Sequence, residues 1–307
     1  MVKVNVKAID ETDEKVLFKA KEKKETSKKV KLTKEEKDYI SRKNFKNAFN
    51  PMGSIKKKNT ITLAIIAFAS ILLWWFLITA FGDIDSFFLP SPKMTLKAAK
   101  SLFIEGQFVL DIKMTVFRVM YGFLIAAVIA IPLGLLIGTY APASAFFEYV
   151  FSFIRYLPAS AFIPLFILWI GIDEPEKIAI IILGSLPQLI LMISTDVRNV
   201  PMSLIEVSYT LGTSKADVLW LVILPKALPD ILNSLRTVLG WAWTYVIVAE
   251  LVGASSGIGF MIIQSQRMMN TSRIFVGILT IGFIGMIIDI AFKVIHERLF
   301  FWNKALQ

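Results

Sequence analysis

The chain has no cysteine among its 307 residues and a single histidine, His296. Without cysteine, neither a disulfide bond nor a thiolate metal site can form. No glycine-rich loop ends in Gly-Lys-Ser/Thr, and the stretch 253–259 lacks the lysine that would bind phosphate, so we predict a turn there. No Ser/His/Asp set and no carboxylate pair is placed for catalysis. We therefore expect a chain that is not an enzyme and that itself binds no metal or cofactor.

Charged residues are scarce, at 19%, and more than half of the basic ones lie in one tail. Residues 1–58 contain 18 of the 34 Lys and Arg and 9 of the 24 Asp and Glu, so the tail carries +9 of the formal net charge of +10. Lysine-rich sequence beside an apolar run is typical of contact with anionic membrane lipid and argues against a nucleic-acid partner. The tail's composition predicts disorder. A solvated tail is favoured over a short amphipathic helix at 33–49.

Apolar sequence is abundant, because 55% of the residues are hydrophobic and the mean hydropathy is +0.63. A membrane-spanning helix needs about 20 predominantly apolar residues. Six runs are near that length or longer: 61–81, 119–147, 149–172, 178–195, 234–253 and 274–295. We therefore predict an all-α, polytopic integral membrane protein with six transmembrane helices.

Prolines and glycines inside these runs are compatible with membrane helices, because neighbouring helices satisfy the backbone groups that a proline leaves free. The prolines predict kinks at four positions: Pro132, Pro158, Pro164 and Pro187. Gly134 and Gly138, four positions apart, favour close approach of a second helix. Ordinary packing is favoured over a dimerisation motif, because the pattern is short and common.

Three lysines, Lys56 to Lys58, precede the first run and place the N-terminus in the cytoplasm. With six spans, the C-terminus and the segment between the fourth and fifth runs lie on the same side. We assign residues 1–58 to a cytoplasmic tail, 59–302 to a transmembrane domain, and 303–307 to a cytoplasmic C-terminal end. The expected location is the cell inner membrane.

One polar segment, residues 206–225 (EVSYTLGTSKADVLWLVILP), interrupts the apolar pattern. It predicts a helix, a glycine turn at Gly212 and a second helix capped by Ser214, with Asp217 near the positive helix end. The second helix is predicted to end at Pro225 and Pro229. Its apolar face toward the membrane helices is predicted to consist of Val218, Leu219, Leu221 and Val222.

This segment resembles the cytoplasmic signature of importer permeases of the ATP-binding-cassette class. That signature is Glu-Ala-Ala, three residues, Gly, nine residues and Ile-x-Leu-Pro. Here it reads Glu206-Val207-Ser208, Gly212 and Val222-Ile223-Leu224-Pro225, with every spacing kept and departures at Val207, Ser208 and Val222. The resemblance implies a coupling helix within residues 200–229 that enters a cleft of an ATPase subunit. The residues it implies for ATPase coupling are Glu206, Val207, Ser208, Gly212, Thr213, Ser214, Lys215, Leu224 and Pro225.

The resemblance covers roughly residues 60–302 and is greatest for the nitrate/sulfonate/taurine/bicarbonate group of permeases. The Leu-Pro-Ser-Pro signature of that group matches residues 89–92. Thr115, Arg118, Gly122 and Phe123 match the opening of its second span. Further matches are Leu157-Pro158 with 161–165, Trp169 to Ile172, Glu250-Leu251, Gly257-Ile258-Gly259, and Glu297-Arg298 to Trp302.

The resemblance implies a MetI-like, type I permease fold and a role as transmembrane subunit of an ATP-driven, binding-protein-dependent importer for a small anion. The implied partners are a second copy of the chain, two cassette ATPases that carry ATP and Mg, an extracytoplasmic substrate-binding protein and membrane lipid. The alternative is a gradient-driven secondary transporter or channel for small anions. Such transporters typically contain an internal repeat, which this sequence does not show.

Ionisable side chains within a membrane are functional candidates because burying them is costly. Pairing between helices or snorkelling is the simpler role for each of Arg118, Arg155, Glu250 and Asp289. We expect Glu250 to have a basic or N–H partner, with Arg118 as the candidate. The resemblance places the pathway in the fifth span and parts of the second to fourth. The candidate pathway or gate residues are Arg118, Arg155, Ser160, Gln188, Trp241, Trp243, Thr244, Tyr245 and Glu250.

Overall fold

The computed structural model describes residues 57–300, and in that range the chain is helical with no strand. The predicted tail, except Lys57 and Lys58, the helix considered at 33–49 and the 303–307 end lie outside the described residues. Residues 74–300 belong to one compact unit, while residues up to 73, including the first part of α1, belong to another. The α-helices are α1 Lys57–Phe81, α2 Pro92–Glu105, α3 Gln107–Thr139, α4 Ala141–Tyr156, α5 Ile163–Ile170, α6 Glu174–Arg198, α7 Met202–Thr210, α8 Lys215–Val218, α9 Leu224–Gly253, α10 Ile258–Arg267 and α11 Thr271–Leu299.

Five helices of the described chain are long and apolar enough to cross a membrane: α1, α3, α6, α11, and α8–α9 taken together. The described chain has a sixth span if α4 and residues 159–170, which pass the same test together but are bent by 82°, count as one broken span. The all-α fold and the multi-span architecture predicted from the sequence are thereby confirmed.

The boundary between the second and third predicted spans was wrong. We predicted runs at 119–147 and 149–172, but α3 ends at Thr139 and α4 begins at Ala141. Tyr140 is extended (φ −111°, ψ 119°), and Pro142 lies in the first turn of α4. Proline has no N–H to continue the preceding helix, and its ring clashes with a helical carbonyl four residues earlier. Hydropathy alone does not detect this break, since both sides of it are apolar.

Helices α3 and α6 pack in parallel at very close range. A Cβ added to Gly134 would lie 2.6 Å from Cγ2 of Ile193, and one on Gly138 would lie 2.6 Å from Cβ of Val197. Gly122 likewise lies against Ile181. The two residues of each of the three pairs are 59 positions apart in the chain, so the register of the two helices is constant over several turns. The predicted close approach at Gly134 and Gly138 is confirmed, and the partner helix belongs to the same chain.

The parallel packing of α3 and α6 requires the chain between them to return across the same thickness. The bent pair formed by α4, the 3₁₀ turn Ala159–Phe162 and α5 makes that return. The main apolar core lies where α3, α6 and α9 meet, and includes Val119, Ala126, Ile190, Ile193 and Val246. These three helices form the frame that positions the polar residues described below.

The segment preceding α3 also folds as a helix. Ser91 caps α2 by accepting a hydrogen bond from the Met94 N–H (3.3 Å), and Pro92 occupies the first helical position. Gly106 ends α2 in the left-handed conformation (φ 80°), and α3 starts at the next residue. Arg118 therefore lies about three turns after the start of α3.

Candidate functional site

The turn at Gly212 joins α7 to α8. Gly212 has φ +81°, a conformation that disfavours a residue with a Cβ. The Thr213 N–H donates to the Ser208 carbonyl (3.1 Å), and the Gly212 N–H donates to the Tyr209 carbonyl (3.0 Å). These two hydrogen bonds form a Schellman motif, which closes the end of α7. The glycine turn predicted from the sequence is confirmed.

The second half of this segment begins with the predicted cap. Ser214 Oγ accepts from the Asp217 N–H (3.2 Å) and donates to the Asp217 carboxylate (2.7 Å). The prediction that the second helix ends at Pro225 and Pro229 was wrong, because the helix continues past both prolines. A π-helical turn, Leu219–Ile223, leads directly into α9, with Pro225 in the first turn of α9 and Pro229 inside it. The π turn rearranges the hydrogen bonding just before Pro225, so the helix continues past it.

The apolar face predicted for this element is partly correct. Val218 is buried, and Leu219 and Val222 pack against the main core. Leu221 is 70% exposed, and Ile223 is buried in its place because the π turn shifts the helical phase. Leu211 is 80% exposed, and Val207, Tyr209 and Trp220 are also exposed, though less so. A polar turn thus carries a group of exposed apolar side chains.

The other coupling candidates lie on or beside this turn. Ser208 is buried, and its hydroxyl donates to the Leu204 carbonyl (2.7 Å). Thr213 and Leu224 are half-buried. The remaining candidates are exposed: Glu206, Val207, Gly212, Ser214, Lys215 and Pro225.

A second polar site, the Arg118 cluster, joins Arg118, Glu174, Glu250, Thr115 and Ser256. The Glu250 side chain is fully buried and that of Arg118 is 1% exposed, with Arg118 Nη1 2.7 Å from Glu250 Oε1. Glu250 also accepts from the Thr115 hydroxyl (2.8 Å) and from the Gly259 N–H (2.8 Å). The predicted pairing of Glu250 with Arg118 is confirmed.

The Arg118 guanidinium makes five hydrogen bonds. Besides Glu250, it donates to Glu174 from Nε (2.6 Å) and Nη2 (2.5 Å). It also donates to the Ser256 carbonyl (2.7 Å) and hydroxyl (3.2 Å). The planar guanidinium thereby joins α3 to the start of α6, the end of α9 and the loop after α9. A buried charge with its donors satisfied in this way is strongly held in place.

The glycines of the loop after α9 are explained by this cluster. Gly257 has φ +119°, and a Cβ there would lie 2.5 Å from the Glu250 carboxyl carbon and 2.6 Å from Arg118 Nη1. A Cβ on Gly259 would lie 2.7 Å from Glu250 Cβ. The loop is also tied to α3, because the Gly257 N–H donates to Asp111 (2.7 Å) and the Ile258 N–H donates to Thr115 (2.9 Å). The turn predicted here is confirmed, with α10 beginning at Ile258.

Sequence reasoning missed Glu174, Ser256 and Asp111 as members of this polar site. Glu174 is the first residue of α6, just outside the predicted run 178–195, and its side chain is 42% exposed. The available signal was the Glu-Pro-Glu sequence 174–176, in which proline and acidic residues are typical of a first helical turn. Nothing in the sequence indicated that this acid would reach Arg118.

The other pathway candidates are not gathered into one site. Trp243 lies in the apolar core, whereas Trp241 is exposed on α9 and Tyr245 is half-buried. The exposed Thr244 hydroxyl donates to the Trp241 carbonyl of its own helix (2.6 Å). Elsewhere, Ser160 is exposed in the 3₁₀ turn, Gln188 is half-buried on α6, and Arg155 is exposed in the last turn of α4.

Further polar links join the last turn of α6 to α4 and α9, and join α9 to α11. Arg198 pairs with Glu148 of α4 (2.5 Å), and Asp196 accepts from the Ser234 hydroxyl of α9 (2.6 Å). Asp289 of α11 pairs with Arg236 of α9 and with Lys293 (3.3 Å). Asp289 is one of the four ionisable residues identified in or next to the apolar runs. Its pairing with a different helix agrees with the simpler, structural role expected for it.

Comparison with known proteins identifies the family. Residues 130–301 match the family described as binding-protein-dependent transport system inner membrane component. A protein of Brucella abortus (strain 2308) described as a probable ABC transporter permease is 36% identical over 242 residues, covering 79% of this chain and 96% of its own length. The chain therefore belongs to the family of inner membrane components of binding-protein-dependent transport systems.

A second relative supports this assignment, and a solved structure shows the fold. The taurine transport system permease protein of Escherichia coli (strain K12) is 29% identical over 252 residues, covering 80% of this chain and 92% of its own length. The fold resembles that of an inward-facing MetNI methionine ABC transporter structure, with a TM-score of 0.51 and 24% identity over 61% of this chain and 96% of the other. The chain is thus a multi-pass inner membrane permease subunit with a MetI-like fold, and is not itself catalytic.

Proposed function

We propose that this chain forms the translocation pathway for a small anion of the sulfonate, nitrate or bicarbonate class and couples to a separate cassette ATPase through residues 206–225. Its partners would be a second copy of the chain, two ATPase subunits that bind ATP and Mg, and an extracytoplasmic binding protein. Both termini and the coupling segment would lie in the cytoplasm. The observation that carries the proposal is the Gly212 turn, which is closed by backbone hydrogen bonds on one side, capped by Ser214 on the other and lined by exposed apolar side chains.

The exposed side chains suit a docking surface. Leu211 and Leu221 are 80% and 70% exposed, and exposed apolar groups on a polar turn favour contact with a protein partner. Backbone hydrogen bonds on one side of Gly212 and the Ser214 cap on the other fix the shape of the turn. A rigid surface loses little conformational entropy when it binds.

The connection from this turn into the membrane supports a mechanical role. Residues Lys215–Gly253 form one helical run of 39 residues. At a rise of about 1.5 Å per residue, this run is roughly 58 Å long. Its far end carries Glu250, which is bound to Arg118 of α3. Displacement of the turn by an ATPase would therefore be transmitted along one continuous element to the Arg118 cluster, which we propose stabilises one state of the opposite gate.

The substrate class rests on resemblance. The taurine permease is a relative across most of both chains, and taurine carries a sulfonate group. The motifs quoted from the sequence are those of permeases for nitrate, sulfonates, taurine and bicarbonate. An oxyanion requires N–H or O–H donors along its path. The side chains of α9 and its neighbours that can supply them are Ser160, Gln188 and Trp241, since the Thr244 hydroxyl already donates within its own helix.

Proteoliposomes provide the test. The tagged chain would be purified from its native membrane, the retained proteins identified by mass spectrometry, and the complex reconstituted with its binding protein. We expect a cassette ATPase to co-purify with the chain. We also expect radiolabelled taurine, alkanesulfonate, nitrate or bicarbonate to enter the proteoliposomes only when ATP is present on the side of the membrane that carries the coupling segment. Uptake driven by an ion gradient without ATPase would instead support a secondary transporter and contradict the proposal.

A further inference from the structure

Arg198 is the last residue of α6 and stands immediately before the coupling region, since α7 begins at Met202. Its Nη1 and Nη2 donate to the two Glu148 carboxylate oxygens (3.1 and 2.5 Å). Nη2 also donates to the Ser144 hydroxyl (2.9 Å), which in turn donates to Glu148 (2.8 Å). Ser144 and Glu148 are one turn apart on α4. Arg198 therefore joins the base of the coupling segment to the bent span.

The bent span has few other attachments at this end. Within the described chain, α4 contains no fully buried residue, and its packing on the main core uses the partly buried Phe147 and Phe151. Helix α6, by contrast, is deeply buried against α3 and α9. The three-residue polar contact at Arg198 is thus the directional, charge-assisted link between a loosely packed helix and a firmly packed one.

The final turn of α6 has a second link on its other side. Asp196 accepts a hydrogen bond from Ser234 of α9 at 2.6 Å. Residues 196 and 198 lie on opposite faces of a helix, so each link faces a different neighbour. The end of α6, where the coupling segment starts, is therefore connected to α9 on one side and to α4 on the other.

We propose that Arg198 and Glu148 are positioning residues that transmit displacement of the coupling segment to the bent span α4–α5. This inference rests on the proposed function, because it assumes that an ATPase moves residues 206–225. Movement of the turn pulls on the end of α6 and, through the ion pair, on α4. Helix α9 moves directly with the turn, so the ion pair serves to keep the bent span in step with α9.

A role limited to stability predicts a different outcome. The two side chains are 39% and 35% exposed, and ion pairs at such sites contribute little to folding free energy. Loss of the pair should therefore leave the folded chain intact and change only the communication between ATPase and bent span. Lys293 supplies a matched control, since its ion pair with Asp289 is comparably exposed and lies within one helix, remote in sequence from the coupling segment.

The experiment uses the complete complex, with ATPase and binding protein, in nanodiscs. Variants Glu148→Gln, Arg198→Gln, their double mutant and the control Lys293→Gln would be compared for ATPase retention, thermal midpoint, and the ratio of binding-protein-stimulated to basal ATP hydrolysis. We expect each single variant at the pair to lower that ratio by at least about fivefold, the lower end of typical coupling between sites. The double mutant should lose no more than either single variant, because both remove one interaction.

Retention and thermal midpoint should stay at wild-type values in all variants, and Lys293→Gln should stimulate normally. A wild-type ratio in Glu148→Gln, additive losses in the double mutant, or an equal loss in Lys293→Gln would each overturn the positioning role. Failure of the wild-type chain to retain any ATPase would instead contradict the proposed function. The two failures are therefore distinguishable.

Discussion

Glu250 and Arg118 are 132 positions apart in the chain, and their side chains meet at 2.7 Å in the interior of the helix bundle. The pair joins the end of the helix that leads away from the coupling segment to the second membrane helix. Because both side chains are almost fully excluded from solvent, each charge depends on the other. The mutational consequences should therefore be large and should differ between isosteric and apolar replacements.

Glu250→Leu should destabilise the chain by about 3–5 kcal/mol, because it leaves a buried guanidinium without one of its carboxylates. It also removes the acceptor for the Thr115 hydroxyl and the Gly259 N–H. Glu250→Gln keeps an acceptor oxygen at nearly the same position and should retain partial transport. Thermal unfolding in detergent and uptake in proteoliposomes measure the two effects. Wild-type transport by Glu250→Leu would refute a bracing role for this residue.

Glu174→Gln should have a smaller effect than loss of the buried carboxylate. Glu174 binds the same guanidinium, but its side chain is 42% exposed, so water can replace part of the lost interaction. We expect a destabilisation of about 1 kcal/mol or less for this variant. The ranking of thermal midpoints, Glu174→Gln above Glu250→Leu, is the measurement. The reverse ranking would show that burial does not govern the strength of these two contacts.

Gly257→Ala should lower the free energy of unfolding by more than the addition of one methyl group usually does. The new Cβ would lie 2.5 Å from the Glu250 carboxyl carbon, and φ is +119°. Strain of this kind costs on the order of 1–3 kcal/mol before any steric contact is counted. Gly282→Ala is the matched control, because its added Cβ would meet no described atom within 4 Å beyond the backbone of its own helix, and its φ is not positive. Equal thermal midpoints for both variants would contradict this account of the loop.

Some features of the two polar sites could be predicted from the sequence and others could not, for physical reasons that can be identified. The Gly212 turn and the Ser214 cap were predictable because they depend on residues within a few positions of each other. The Arg118–Glu250 pair was predictable as a candidate because two charges in apolar runs need partners. Glu174 was not, since its role depends on where α6 begins relative to α3, which only tertiary packing determines.

Boundaries were predicted less well than elements. The break at Tyr140 lies between two apolar stretches, so hydropathy merges them and only Pro142 marks the new start. The continuation through Pro225 depends on the π turn before it, which no local propensity indicates. In both cases proline was the relevant residue, and its effect depended on whether the preceding backbone could rearrange.

Gly212→Val should separate ATPase coupling from membrane folding. Beyond the two neighbouring residues, no described atom lies within 4 Å of a Cβ built on Gly212, so the space is open. However, φ is +81°, and a β-branched residue is strongly disfavoured there. We expect the turn to rearrange, with loss of ATPase docking or of ATP-driven uptake, while the protein inserts in the membrane at normal levels. Gly212→Asn is the matched variant, because asparagine tolerates the left-handed conformation and should preserve much of the activity. Co-purification of the ATPase and uptake in proteoliposomes would be measured for both. Normal uptake with normal ATPase stimulation in Gly212→Val would show that residues 206–225 are not the coupling element.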